Sequence, residues 1–452
     1  MTRAKSDGQF DSQLRTFLAW QAGQIAGAPS AEEMASRVAA SLHTGARRRR
    51  VSARTVLRAA AVVVLLAIAL VSAAILAGRQ RPAITPINGD LVLQDPHPAA
   101  CGLDRVDPAT GVHRTLVPKP LGCGTDDFPG LEYQLSASSD GRRVAYTVGR
   151  FCGGCPNTPT PENLAREGVW LLDPGTGAST KVDGCGDVEC FMVAALSPDG
   201  RLLAYRTQPF GPDKVVTLSI VDLGSGRKVT VQADDAAELR WSPDGSTLAY
   251  TVFVCENAPA CTRSHTRIEA TSADGSRTWT VFDDPRMNAM IPAWTPDGTR
   301  VRFGTTDSPG NGTSPVTLHE AAANGSGDVV LGTLPIESGP PSWSPDGTRL
   351  AWLGGGGQTE AESFLDLWVG TTNGQKATRL FASGTGNTNG SGPIWSPDGH
   401  LLAFGYTVGA TSAGVTDVIG VDGTALYQVA SVAGPLAWLP ATSIPTSKEG
   451  GP

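Results

Sequence analysis

The chain has 452 residues, 54 of them glycine and 33 proline, with 40% hydrophobic residues, 17% charged residues and a formal net charge of −7. Apolar residues recur throughout, which excludes an intrinsically disordered chain, and the supply of turn formers suits many short strands. The charge is uneven: residues 1–81 hold twelve Lys and Arg against four Asp and Glu, a formal +8, which leaves −15 for the remainder and argues against a nucleic-acid partner there.

At the N-terminus Phe10, Leu14, Phe17, Leu18 and Ile25 fall on helical spacing, and Met34, Val38 and Leu42 repeat it after the start signal Pro29-Ser30-Ala31-Glu32-Glu33. Two short amphipathic helices are therefore expected within residues 1–54, with apolar faces that need each other, a lipid surface or a partner. Arg47, Arg48, Arg49, Arg50, Arg54 and Arg58 then crowd an uncharged stretch of twenty residues, 59–78, dominated by Ala, Val, Leu and Ile. That length matches a bilayer, so 55–78 is expected to be a membrane-spanning helix. Only Arg79 and Arg81 follow closely, which puts the N-terminus in the cytoplasm and everything after a linker, 79–87, outside. Its distance from Met1 favours an uncleaved anchor, and beside it the arginine run reads as a topology signal.

From residue 88 to 440 the chain is repetitive. A serine or threonine, proline, aspartate, glycine phrase recurs at Trp241-Ser242-Pro243-Asp244-Gly245, Trp294-Thr295-Pro296-Asp297-Gly298, Trp343-Ser344-Pro345-Asp346-Gly347 and Trp395-Ser396-Pro397-Asp398-Gly399, with weaker copies around Asp140 and Asp199. Proline presets the first corner of a type I turn, aspartate bonds the nearby backbone, and glycine takes the left-handed conformation, so each copy joins two antiparallel strands. The Trp before each turn and the aromatic after it, as in Thr247-Leu248-Ala249-Tyr250, are core residues that fill the space between neighbouring sheets. A second family of turns, seven in number, lies at Asp107, Asp173, Asp222, Asp274, Asn324, Asn373 and Asp422. The mismatch with six turn phrases resolves if Pro435-Leu436-Ala437-Trp438-Leu439-Pro440 and Gly89-Asp90-Leu91-Val92-Leu93 belong to one sheet shared by the two ends. Repeats of this length indicate a β-propeller of four-stranded blades, seven in this count, or six if residues 90–118 pack irregularly. Residues 441–452 read as a disordered tail.

With strands a to d from the centre outward, both families of short turns fall on one face and the long connections on the other. The long ones include 149–168, 183–190 and 253–267. All eight cysteines, Cys101, Cys123, Cys152, Cys155, Cys185, Cys190, Cys255 and Cys261, fall in such connections and on the expected outer side of the membrane. Bridges from Cys152 to Cys155, Cys185 to Cys190 and Cys255 to Cys261, with Cys101 and Cys123 left over, suit an oxidising compartment. A redox-active Cys152-Gly153-Gly154-Cys155 unit and a zinc site on Cys152, Cys155, Cys185 and Cys190 are the alternatives. Asn311-Gly312-Thr313, Asn324-Gly325-Ser326 and Asn389-Gly390-Ser391 fit glycosylation acceptors but read as turns.

No signature of catalysis emerges. The nearest phrase to a nucleophile elbow, Thr411-Ser412-Ala413-Gly414, follows Ala410 where glycine is needed, and too few residues follow Pro440 for a catalytic domain. His43, His97, His113, His265, His319 and His400 lack metal-ligand spacing and are expected in turns or on the surface. Neither a metal nor another cofactor is expected.

The Trp-Ser-Pro-Asp-Gly phrase followed by a Leu-Ala-aromatic strand resembles the WD-type repeat of the TolB-like propeller family, over residues 88–440. The resemblance implies an extracytoplasmic protein-interaction role in the bacterial envelope. The extra N-terminal segment, membrane helix and seventh blade depart from that family and set its particular role aside. The expected function is a membrane-anchored, non-catalytic binding module for an envelope protein or glycan. In plan the chain also resembles membrane-bound anti-sigma factors, which implies a cytoplasmic regulatory partner for residues 1–50 as an alternative; an envelope enzyme is a second.

Overall fold

The computed structural model describes residues 88–441, apart from 95–101, 118–130, 151–164, 166, 185–189, 210–215, 232, 234, 258–260, 308–314, 336–338, 357–363, 385–389, 409–412 and 432–433. The helices expected within residues 1–54, the expected membrane-spanning stretch 55–78 and residues 442–452 lie outside the described residues. No helix among the described residues is long and apolar enough to cross a membrane.

The described chain is all-β. Strands β4 (Leu131–Ala137), β5 (Val144–Arg150), β6 (Gly168–Leu172) and β7 (Ser179–Asp183) make one antiparallel four-stranded sheet, in chain order. The same arrangement recurs in β8–β11, running from β8 (Cys190–Leu196) to β11 (Lys228–Val231), in β20–β23, from β20 (Ser342–Trp343) to β23 (Thr378–Ala382), and in β24–β27, from β24 (Gly390–Trp395) to β27 (Tyr427–Ala430). An eight-stranded sheet contains two further antiparallel sets, β12–β15 beginning at β12 (Ala236–Trp241) and β16–β19 beginning at β16 (Met287–Trp294). A single parallel bridge, Thr266 to Asn288, joins them. The last sheet pairs the two ends of the described chain: β28 (Pro435–Pro440) lies beside β1 (Asn88–Gln94), with Leu91 opposite Trp438 and Val92 opposite Ala437, followed by β2 (Leu103–Val106) and β3 (His113–Val117).

Inner strands carry continuous apolar runs, such as Leu203-Ala204-Tyr205 and Leu248-Ala249-Tyr250, because both sheet faces are covered. One hydrophobic core joins Val92 and Leu103 to Val144 and Tyr146, the next Ala145 and Val169 to Leu203 and Tyr205, and the next Ala204 and Leu218 to Trp241 and Tyr250. Further cores join Ile268 to Phe303, Leu318 to Trp352, Leu367 to Trp395, and Val418 to Leu91 and Trp438. Each core thus links one four-stranded set to its successor, and the last links β24–β27 back to the sheet holding β28 and β1.

The turn phrases have the anticipated form and one further part. Gly141, Gly200, Gly245, Gly298, Gly347 and Gly399 have φ between 67° and 71°. The aspartate accepts from the amide two residues on, at 3.0 Å from Ser246 to Asp244 and from Thr348 to Asp346. The hydroxyl before the proline does twofold service: Ser242 donates to Asp244 at 2.6 Å while its oxygen accepts the Thr247 amide at 3.0 Å. Ser138, Ser197, Thr295, Ser344 and Ser396 repeat both bonds and are all buried.

Turns of successive sets also touch, which places them on a common face. Ser139 donates its amide to Pro198, and Arg302 reaches the Gly347 carbonyl at 2.7 Å. A Cβ at Gly347 would stand 2.7 Å from Pro296 Cδ, whereas at Gly245 its nearest neighbour is 3.8 Å away. Both glycines are left-handed, so Gly245→Ala carries only the backbone cost, about 1–2 kcal/mol, and Gly347→Ala adds a steric clash. Urea denaturation of the two variants is expected to show the larger loss at position 347; equal losses would remove the contact between turns.

Candidate functional site

Within each antiparallel set the a-to-b and c-to-d turns share one end of the strands, so the b-to-c and set-to-set connections lie at the other. The short-turn end is chemically closed. Asp346 and Asp274 are held down to about 2, first by the Ser344 and Ser272 hydroxyls and then by further hydroxyl and amide donors of their own turns. Asp199, Asp244 and Asp297 are lowered for the same leading reason, and Asp140 is lowered by its hydrogen bonds against an opposing desolvation. Asp398, the last of the six, accepts from Ser396 at 2.6 Å and from the His400 amide. These carboxylates are turn components, satisfied within their own phrases. For Asp140, Asp199, Asp244, Asp274, Asp297 and Asp346 the lowered pKa makes a contribution to stability that is complete above the ordinary carboxylate range and is lost as pH falls toward 2. An open groove of about 700 Å³ lies at this end between β20–β23 and β24–β27, lined by Arg349, Lys376, Asp398, His400 and Asp422. Its charges are of both signs and side by side, which marks a solvated junction of sheets.

The opposite end is built differently. β13 (Thr247–Glu256) and β14 (Arg263–Ser272) form a ten-rung ladder from Thr247 opposite Ser272 to Glu256 opposite Arg263. The connection expected over 253–267 is therefore shorter, because its flanks continue as paired strand. Cys255, near the end of β13, is disulfide-bonded to Cys261, as the sequence spacing anticipates. Cys101, Cys123, Cys152, Cys155 and Cys185 lie outside the described residues; Cys190 opens β8. On this hairpin Phe253 is 43% exposed, and Phe364, which opens β22 (Phe364–Thr371) after a long connection, is 39% exposed.

Beside the hairpin, the entry into β12 is under tension and carries charge. Asp235, just before β12, and Glu238 and Ile291, at bulges in the innermost strands, have φ of 40°, 50° and 43°, in the left-handed region that residues other than glycine seldom adopt. Arg206, 3% exposed, holds Gln208 Oε1 at 2.6 Å and pairs with the Asp235 carboxylate. Burial lowers the Arg206 pKa, with Asp235 opposing. Glu238 accepts the Ile291 amide at 2.5 Å, and desolvation raises its carboxyl above the ordinary value. The Asp235 carbonyl accepts the Phe253 amide at 3.3 Å, tying this entry to the hairpin.

Two histidines depart from expectation. His113 and His400 are exposed, but His265 and His319 are each only 3% exposed, within strands. A carboxylate holds each of them: His265 Nε2 meets Asp283 at 2.9 Å, its Nδ1 having no hydrogen bond among the described residues, and His319 Nδ1 meets both Asp328 oxygens at 3.2 Å. His319 Nε2 lies 3.0 Å from Thr305 Oγ1, which completes the order of hydroxyl, imidazole and carboxylate found in nucleophilic catalysis. Thr305 is 1% exposed and His319 stacks on Phe303 at 5.1 Å, so no scissile group can reach the hydroxyl. The arrangement is a strut between strands. His43, His97 and Ser412 lie outside the described residues, as do Asn311 and Asn389; Asn324-Gly325 is a turn, with φ of 83° at Gly325. Among the described residues no cluster of His, Cys, Asp or Glu has a metal-binding arrangement.

One buried carboxyl is poorly served. Asp417, 5% exposed, accepts from Tyr406 at 3.0 Å through one oxygen, and the other has no partner among the described residues. Desolvation pushes it up to about 6, against the Tyr406 hydrogen bond. A raised carboxyl costs nothing when protonated in both folded and unfolded chains, and destabilises as pH rises from about 4 through about 6. Asp417→Asn is expected to remove this decline and to gain roughly 2–3 kcal/mol at pH 7.5, measured by thermal unfolding across pH; an unchanged slope between pH 4 and 6 would clear Asp417 of the role.

No protein-family model matches the chain, and no curated protein sequence does. Among solved structures it is similar to an oligogalacturonate lyase from Vibrio parahaemolyticus, at 12% identity over 71% of this chain and 88% of that one, with a TM-score of 0.50. It is similar to a prolyl endopeptidase at 14% identity over 78% of this chain and 50% of that one, also at 0.50, so it spans half of that protein's length. TolB from Acinetobacter baumannii is 16% identical over 77% of this chain and 82% of that one, at 0.42. The chain shares the β-propeller fold of such proteins. Likeness at this level carries nothing about activity.

Proposed function

We propose that residues 88–440 form a closed seven-bladed propeller, held outside a bacterial membrane by the helix 55–78, that binds an envelope protein or glycan without catalysing a reaction. Ring closure is supported by the cyclic order of the hydrophobic cores and by the pairing of β28 with β1. The observation that carries the binding reading is the inequality of the two ends of the blades. One end is tiled by self-satisfied turns; the other carries the disulfide-bonded hairpin, exposed Phe253 and Phe364, and the strained, charged entry to β12. Aromatic anchors on braced loops are what a recognition surface requires. A Phe253→Ser, Phe364→Ser double variant of the full chain is expected to lose the envelope component that the unaltered protein retains, while Val112→Ser on the short-turn end retains it. Equal retention by both variants would reject this face. The apolar helical spacing within residues 1–54 favours a second, regulatory reading. It is tested by whether residues 1–50 fused to a carrier co-purify with a sigma factor.

A further inference from the structure

The hairpin at the long-connection end overhangs its own sheet. β12 accompanies β13 only as far as Ala236 opposite Val252, whereas β13 and β14 stay paired out to Glu256 opposite Arg263. In three other sets the innermost strand reaches the last residue of its neighbour, with Leu131 opposite Arg150, Cys190 opposite Pro209 and Met287 opposite Asp307. Residues 253–256 therefore have a ladder partner on one side only.

Strand parity identifies the backbone groups left open, because successive residues turn their N–H and C=O to opposite sides. Thr247 turns toward β12, since its carbonyl accepts the Ser242 amide at 2.8 Å, and Phe253 does so through its bond to the Asp235 carbonyl. Cys255, two residues on, presents its N–H and C=O to that same side, beside the Phe253 C=O, and no described residue takes any of the three. The other flank of the hairpin is occupied, for Thr266 pairs with Asn288 and its hydroxyl donates to the Ala289 carbonyl at 2.6 Å. Two features suit the open side to a partner. The Cys255 to Cys261 bond braces the end of the ribbon, which keeps β13 extended without a neighbour. Phe253 stands exposed there, whereas edges that avoid pairing carry Lys, Pro or a covering loop.

We propose that β13, over residues 253–255, receives an extended segment of an envelope protein, which adds as a strand beyond the start of β12 and antiparallel to β13. The proposal rests on the loop-face reading and narrows its partner from protein or glycan to protein. Main-chain bonds to the Phe253 carbonyl and to the Cys255 amide and carbonyl set the register, and an apolar side chain of the segment lies against Phe253. A glycan has no row of alternating N–H and C=O groups to match this edge.

The test uses the full chain in neutral-detergent micelles, with nitrogen-15 in its cysteines, and follows the Cys255 amide by NMR. Three probes are titrated: an acetylated, amidated pentapeptide of alternating valine and threonine, the same peptide N-methylated at every residue, and maltotriose. The unmethylated peptide is expected to move the resonance saturably, with a Kd of about 1 mM, and to slow its hydrogen exchange. The methylated peptide and maltotriose should act at least about tenfold more weakly, and Phe253→Ser should weaken the peptide by about threefold or more. Absence of a saturable response to the peptide, an equal response to its methylated form, a stronger response to maltotriose, or unchanged affinity in Phe253→Ser would each overturn the proposal. Such a failure, together with loss of the envelope component by the Phe253→Ser, Phe364→Ser variant, removes strand addition and leaves the loop face standing. Retention of that component by the double variant overturns both, since the partner then docks elsewhere. Circular dichroism of Phe253→Ser separates loss of the edge from loss of the fold.

Discussion

Replacing Asp235 by alanine is expected to lower the unfolding free energy by about 1–3 kcal/mol, because a largely buried guanidinium loses a charged hydrogen-bond partner. Arg206 is 3% exposed on β9 (Leu202–Pro209), while the Asp235 side chain paired with it is 38% exposed. Gln208 supplies a neutral acceptor at 2.6 Å, which is no substitute for a carboxylate. The loss exceeds that of a surface ion pair because the Arg206 half of the pair is enclosed. Asp235 also stands at φ of 40°, so alanine relieves none of the backbone strain and loses the Asp side chain that tolerates it. Urea unfolding measures the effect directly. An Arg206→Met, Asp235→Leu double variant should cost less than Asp235→Ala alone, since it leaves no buried cation behind. A loss below about 1 kcal/mol for the single variant would assign the pair to the solvated surface.

Deleting residues 435–452 is expected to abolish cooperative unfolding altogether. The deletion removes β28, which is the only partner of β1 on one side, and leaves an open strand edge of the kind that recruits other chains. It also takes Leu439 from one core and Trp438 from another, both at least nine-tenths buried. Each such side chain contributes about 1.5–3 kcal/mol on burial. The Trp438 indole further donates to the Gly89 carbonyl at 3.1 Å, across the seam between the two ends. Deleting only 442–452 leaves all these contacts in place and should leave the melting temperature unchanged. Calorimetry distinguishes the outcomes: a sharp transition in the longer deletion would mean that closure by β28 contributes little.

These effects also mark where sequence reasoning stops. The turns, strand rhythm and shared terminal sheet were legible because proline, aspartate and glycine fix local backbone geometry, and Leu-Ala-aromatic runs report burial on both faces. The Cys255 to Cys261 bridge was legible from short spacing. Arg206 and Asp235 are separated by 29 positions and meet only after two sheets pack, so neither residue announces the other. Asp283 and Asp328, the partners of the buried His265 and His319, are likewise placed by separate strands and turns. The serine hydroxyls were in view within each phrase. Their second bond, to an amide five residues on, follows only once the hairpin has closed. The indole bonds from Trp241 to Ala195 and from Trp294 to Arg240 link separate sets, and a repeat read one copy at a time does not reveal them.

The division of the blades into a closed end and a binding end is tested most directly by site-specific photo-crosslinking in intact cells. A photoreactive amino acid placed in turn at Phe253, Phe364, Thr176 and Ser225 samples both ends of the sheets in the full-length protein. Discrete adducts with an envelope protein or glycan from positions 253 and 364, and none from 176 and 225, are the expected result. Adducts confined to 176 and 225 would contradict the assignment of the binding face.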